Sequence, residues 1–248
     1  MPAGAPDDWD EHWTRFAEAA ELNPAQEFRR HLVVDSLGVE APHARIVDIG
    51  SGTGDLAADL VAELPDPHVL GLELSATGVE IARRKVPNAE FLKWDLLERT
   101  PVDERYAGWA EHAVCSEVLE HVDDPVALIA NARAFLAPGC RLVITVPGGP
   151  MSAFDHHIGH RRHFTPADAG EVLAAAGYEV VSARGVGFPF FNLYRYTVIA
   201  AGDRLIENSD VHPGRATRAV GLVFRRLLAH NRRGRRFGYQ TVVVARNP

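Results

Sequence analysis

The sequence is poor in cysteine, in lysine and in long apolar runs. Only Cys115 and Cys140 occur among its 248 residues, which excludes a disulfide framework. Cys115 sits within an apolar stretch and reads as core. No run approaches the ~20 apolar residues that a bilayer-crossing helix needs. Met1 to Glu21 is acidic and lacks the apolar segment that directs secretion, so the cytoplasm is the expected compartment. Internal repeats and low-complexity blocks are also missing, which excludes solenoids and fibres. What remains is 46% hydrophobic and 24% charged, the balance of an ordinary globular protein. A chain of this length buries a core without staples.

The charge is unevenly placed. The net charge is −7, yet Val211 to Pro248 carries nine arginines and no acid, which leaves −16 on the first 210 residues. Such a tail suits an anionic substrate or a membrane surface. A solvated basic face accounts for it as well, because only two of the 26 basic residues, Lys85 and Lys93, are lysine. Within the tail, Thr217 to His230 sets Val220, Val223, Leu227 and Leu228 beside Arg218, Arg225 and Arg226. That pattern fits a basic amphipathic helix, lying on a surface or packed on the core.

Elements follow from periodicity and punctuation. Trp9 to Leu37 reads as two helical pieces. The first carries Trp13, Phe16, Ala17 and Ala20. The second is capped by Asn23, opened by Pro24 and closed by Gly38, with Phe28, Leu32 and Val33 on its buried face. Strands are expected at Arg45–Ile49, His68–Leu74, Ala89–Trp94, His112–Ser116 and Arg141–Val146. Helices are expected at Asp55–Ala62, Ala76–Lys85 and Pro125–Leu136. This alternation means a parallel sheet covered by helices on both faces. A helix over Pro166–Gly177 and strands at Tyr178–Val186 and Tyr239–Ala245 complete the pattern. The expected whole is one Rossmann-like α/β domain over 1–248 with a seven-stranded, mostly parallel sheet. It has an N-terminal helical cap (1–40), a core (41–186), a substrate-side insert (187–238) with its own helices, and a last strand (239–248).

The sharpest motif is Asp48-Ile49-Gly50-Ser51-Gly52-Thr53-Gly54, a strand running into a glycine turn and a helix start. Glycines let backbone approach a ligand, and the helix N-terminus offers free N–H groups. Dinucleotide enzymes favour G-x-G-x-x-G, whereas the spacing here is G-x-G-x-G. Nineteen residues after Gly54, Glu73 ends the second strand, where a carboxylate can accept both hydroxyls of a ribose. Asp95-Leu96 ends the third strand, and Glu117-Val118-Leu119-Glu120-His121 follows the fourth.

These four segments, in this order, resemble class I S-adenosylmethionine-dependent methyltransferases, and the resemblance covers Arg45 to about Val181 with Tyr239–Ala245 as the final strand. It implies S-adenosyl-L-methionine as cofactor, held by Asp48, Gly50, Ser51, Gly52, Gly54, Glu73, Leu74, Asp95, Leu96 and Glu117. It also implies an antiparallel seventh strand. Glu117, Glu120 and His121 resemble the corresponding segment of ubiquinone-pathway O-methyltransferases and small-RNA 2′-O-methyltransferases. In the RNA group a later histidine completes a metal site, and His160 fits that place. This resemblance implies a divalent metal such as Mg on Glu117, Glu120, His121 and His160, with His121, His160 and Glu117 as catalytic groups. Spacing alone also puts Glu117 on one helical face with Glu120 and His121. A metal-free site with His121 as base or as a structural group stays open.

A small-molecule acceptor is expected, a hydroxyl of a biosynthetic intermediate or a sugar, with aromatic pocket walls from Gly187 to Tyr196. RNA is the alternative, disfavoured by the net charge and by the lack of RNA-recognition modules. A non-catalytic binding subunit and an NAD oxidoreductase are the readings of other classes.

Overall fold

The computed structural model describes residues 8–14, 23–207, 215–231 and 237–248, with side chains described outside 203–207 and 215–220. Phe16, Ala17, Ala20, Arg218 and Val220 therefore lie outside the described residues or side chains. Seven strands form one sheet in the order β3-β2-β1-β4-β5-β7-β6. They are β1 (Arg45–Ile49), β2 (His68–Glu73), β3 (Glu90–Lys93), β4 (Ala110–Ser116), β5 (Leu136–Pro147), β6 (Glu179–Val186) and β7 (Gln240–Arg246). β1 to β5 pair in parallel, and β7 runs antiparallel to both β5 and β6.

The helices are α1 (Pro24–Leu37), α2 (Asp55–Glu63), α3 (Ala76–Lys85), α4 (Pro125–Ala132), α5 (Ala153–His157), α6 (Pro166–Ala175), α7 (Phe190–Glu207) and α8 (Arg215–Ala229). Local chemistry explains their bounds. The Asn23 side chain accepts the Ala25 N–H, Pro24 opens α1, and Gly38 closes it in the left-handed region. Ser75 caps α3 by accepting the Gly78 N–H. Thr165 and Asp168 form a reciprocal capping box on α6.

Two apolar clusters lie on opposite faces of the sheet. α1, α2 and α3 contribute Leu32, Leu60 and Val79 to one, which also takes Phe191 of α7 and Leu228 of α8. α4 and α6 contribute Ile129 and Leu173 to the other, which includes Cys115. Helices on both faces of a parallel sheet put a ligand beyond the carboxyl ends of the strands, where strand order reverses. That point lies between β1 and β4.

The insert between β6 and β7 holds α7 and α8. α8 packs on α1 rather than lying free: Phe224 and Leu228 are buried, and Arg225 pairs with Glu27 at 2.6 Å. Leu222 and Val223 stay exposed on it. Among the described residues no helix is long and apolar enough to cross a membrane.

Candidate active site

The glycine turn leaves β1 at the switch point. Gly54 has φ +80°, and a Cβ there would lie 3.0 Å from the Ala82 Cβ and 3.1 Å from its Cα. A bare Cα thus lets the start of α2 rest on α3. Gly54→Ala is expected to lower stability by roughly 1–3 kcal/mol, for a left-handed residue that also crowds backbone; urea unfolding measures it.

Glu73 is buried at the end of β2. Its carboxylate accepts the Gly52 N–H at 2.8 Å and the Ser75 N–H at 2.9 Å. Burial raises its proton affinity, and these two N–H groups oppose that. Asp48 and Ser51 lie in the same place, and Asp48 Oδ2 and Ser51 Oγ are buried without a partner. Burial, then repulsion from Glu73, pushes the Asp48 carboxyl up to about 7.

The sign of that shift sets a prediction. Folded Asp48 holds its proton from pH 4 to about 7 while the unfolded group has lost it, so its contribution to stability falls as pH rises. Asp48→Asn removes the effect. The stability advantage of the variant should grow from pH 4 to 7, to roughly 4 kcal/mol, and level off above. Denaturant titrations at several pH values measure the difference.

Asp95 is half-buried after β3, and its Oδ1 accepts the Leu97 N–H at 2.8 Å. Leu96 is buried and Leu74 exposed. Trp94 meets Phe135 edge to face at 5.3 Å, packing on the core. Lys85 pairs with Asp55 at the start of α2 at 2.7 Å.

The segment after β4 differs from the expected helix. Glu117 has φ +57°, a left-handed conformation that helices do not propagate. Only Leu119–His121 form a short 3-10 turn. Glu117 therefore shares no helical face with Glu120 and His121. Its carboxylate accepts from Gln240 Nε2 at 2.8 Å and pairs with Arg29 Nε at 2.9 Å.

Glu120, His121 and His160 do come together. Each offers a ligand atom within 4.8 Å of the others. Glu120 is fully buried, and both its oxygens lack partners, as does His121 Nδ1. Burial, then the Glu117 charge, raises the Glu120 carboxyl well above its ordinary range. Burial lowers His121 to about 3, and burial with His121 beside it lowers His160 to about 2. The two rings meet edge to face at 4.7 Å. His163 extends the cluster, its Nε2 at 3.2 Å from His160 Nδ1. Of the expected metal residues, Glu120, His121 and His160 are thus gathered, while the Glu117 carboxylate is taken by Arg29 and Gln240. His156 and His157 are exposed.

Comparison with known proteins bears on the family and the fold. A family model described as a methyltransferase domain matches residues 25–183. The chain belongs to the class I S-adenosylmethionine-dependent methyltransferases. Trans-aconitate 2-methyltransferase of Methylobacterium radiotolerans is 30% identical over 178 residues, 71% of this chain and 62% of that one. Demethylmenaquinone methyltransferase of Chlorobaculum tepidum is 38% identical over 102 residues, 34% of this chain and 40% of that one. The chain therefore spans less than two thirds of either relative. Phosphoethanolamine N-methyltransferase 2 of Haemonchus contortus, solved with S-adenosyl-L-methionine, shares the fold with a TM-score of 0.65 at 15% identity, over 100% of this chain and 61% of that one.

Several groups around the candidate site have no local sequence signal. Arg29 of α1 reaches Gln240 of β7 at 2.9 Å as well as Glu117. Arg195 of α7 grips Asp155 with both terminal nitrogens, at 3.0 and 2.8 Å. Burial acts against the charge on Asp155, but the Arg195 hydrogen bonds prevail and hold it down at about 2. Such pairs join residues 40 to 211 positions apart. A cleft of about 500 Å³ is lined by Phe188, Phe190, Leu193, Tyr196, Phe237 and Tyr239 among others. The Tyr239 ring closes on Gly149, whose carbonyl oxygen lies 3.1 Å from His163 Nδ1.

Proposed function

We propose that the chain moves the methyl group of S-adenosylmethionine to a hydroxyl of a small-molecule acceptor, a biosynthetic intermediate or a sugar, with a divalent metal at the reactive end. The observation that carries the metal is Glu120. A fully buried carboxylate with two unpartnered oxygens is costly. It stands beside two imidazoles that burial keeps neutral, and neutral imidazole is the ligand form of histidine. A cation would reverse the penalty on Glu120.

Glu120, His121 and His160 would hold the ion. Such an ion would lower the pKa of an acceptor hydroxyl so that its proton passes to water, and the oxygen would take the methyl carbon as its bond to the sulfonium sulfur breaks. On the donor side Glu73 has lone pairs left for ribose hydroxyls after accepting two N–H groups, and Asp95 and Leu96 would meet the adenine. Asp48, Gly50, Ser51, Gly52, Gly54 and Leu74 would complete that cradle. Glu117, fixed by Arg29 and Gln240, faces the donor rather than the metal in this proposal.

The test is transfer of labelled methyl from S-adenosylmethionine to small hydroxylated acceptors, with RNA in parallel. Chelation should abolish transfer and Mg²⁺ restore it. Turnover indifferent to chelator overturns the metal, and labelling of RNA alone overturns the acceptor class.

A further inference from the structure

The helical turn over 9–14 lies across the site, and its aromatic side chains fill it from one end to the other. Trp13 Cζ2 stands 2.9 Å from the point a Cβ on Gly52 would occupy, and Trp13 Cδ1 stands 3.0 Å from the corresponding point on Gly78. The indole therefore occupies the space between the glycine turn and the first turn of α3. The Glu73 side chain borders the same space, its Cγ 3.1 Å from that point on Gly78. The Trp13 indole is close enough to the Glu73 carboxylate to lower its proton affinity. Its buried Nε1 faces that carboxylate without full hydrogen-bond geometry.

A polar latch holds the turn in place. Asp10 Oδ1 accepts from Ser75 Oγ at 2.5 Å and from the Thr77 N–H at 2.9 Å, at the N-terminus of α3. Four residues before Trp13, and so on the same helical face, the Trp9 ring meets His121 edge to face at 4.9 Å. One short segment thus covers both the donor end, through Trp13, and the reactive end, through Trp9.

We propose that this turn is a plug: Trp13 occupies the place the donor's ribose must take, so that donor binding expels it and lifts Trp9 from His121 in the same movement. The plug rests on the donor site described under the proposed function. Its consequence is an order of binding. The acceptor side of His121 opens only after the donor has entered, which keeps the reactive cluster covered until a methyl group is present.

Stopped-flow mixing with S-adenosylhomocysteine, followed by tryptophan emission, tests it on the full chain, with calorimetry for affinity. If the open state is populated at about 0.1–10%, the affinity of the intact protein is reduced by that fraction. Trp13→Ala should then bind S-adenosylhomocysteine about tenfold tighter or better, and faster. Asp10→Ala, which keeps the ring and removes the latch, should move in the same direction by less. Weaker or slower binding by Trp13→Ala overturns the plug and makes Trp13 a wall of the donor site. Binding by the wild type with neither variant changed also overturns it, while the donor site stands. No binding by any form removes the donor site, and the plug with it.

Discussion

Replacing Glu120 by Gln, or His160 by Ala, is expected to slow methyl transfer by about 10²–10⁴-fold, several kcal/mol of transition-state stabilisation, and to leave S-adenosylhomocysteine affinity unchanged. The two effects separate because the residues act at opposite ends of the site. Glu120 and His160 belong to the buried cluster after β4, whereas the glycine turn and Glu73 lie at the ends of β1 and β2. Folding should survive Glu120→Gln, since the carboxylate oxygens have no partner to lose and a neutral amide is easier to bury than a charge. Calorimetry with Mg²⁺, or the spin signal of Mn²⁺, should show an ion bound by the wild type and lost in both variants. Full activity in Glu120→Gln would mean that the cluster is structural and that alignment alone drives the reaction.

Glu73→Ala should weaken S-adenosylhomocysteine binding by about 1.5–3 kcal/mol, about 10–150-fold, the range for hydrogen bonds to a charged group. Glu73 also holds the Gly52 and Ser75 N–H groups, so the alanine variant frees the glycine turn as well. Glu73→Gln separates the two roles. Its amide oxygen can still accept one N–H, while the second acceptor and the charge are gone. Affinity in Glu73→Gln should therefore fall between the wild type and the alanine variant, and isothermal titration reads all three. Equal affinity across the series removes Glu73 from the donor site.

The architecture was legible because it is written in local signals. Strand ends, the Asn23–Pro24 helix start and the Gly38 stop each depend on a few neighbouring residues, and the structure places them as expected. β5 begins at Leu136, earlier than its apolar pattern suggests, because Pro138 and Gly139 interrupt that pattern within a strand that still pairs. The candidate site was legible as motifs at the strand ends, while the contacts between them were not. Helical spacing placed Glu117 with Glu120 and His121, but a positive φ at Glu117 breaks the helix on which that spacing depends. The partners that claim Glu117, Arg29 and Gln240, lie on α1 and β7, and no period in the chain connects them. Trp13 over Gly52 and Arg195 on Asp155 are likewise tertiary contacts without a local trace.

The fold alone does not carry the activity, since one architecture hosts many chemistries. The donor is the part that can be examined without knowing the acceptor. A ligand that binds only the folded state raises the melting temperature according to its concentration over its Kd. The measurement is thermal unfolding of the full chain with saturating S-adenosylmethionine, S-adenosylhomocysteine or NAD. A methyltransferase donor site predicts that the first two raise the melting temperature and that NAD leaves it unchanged. A shift with NAD, or none with either sulfur ligand, contradicts it.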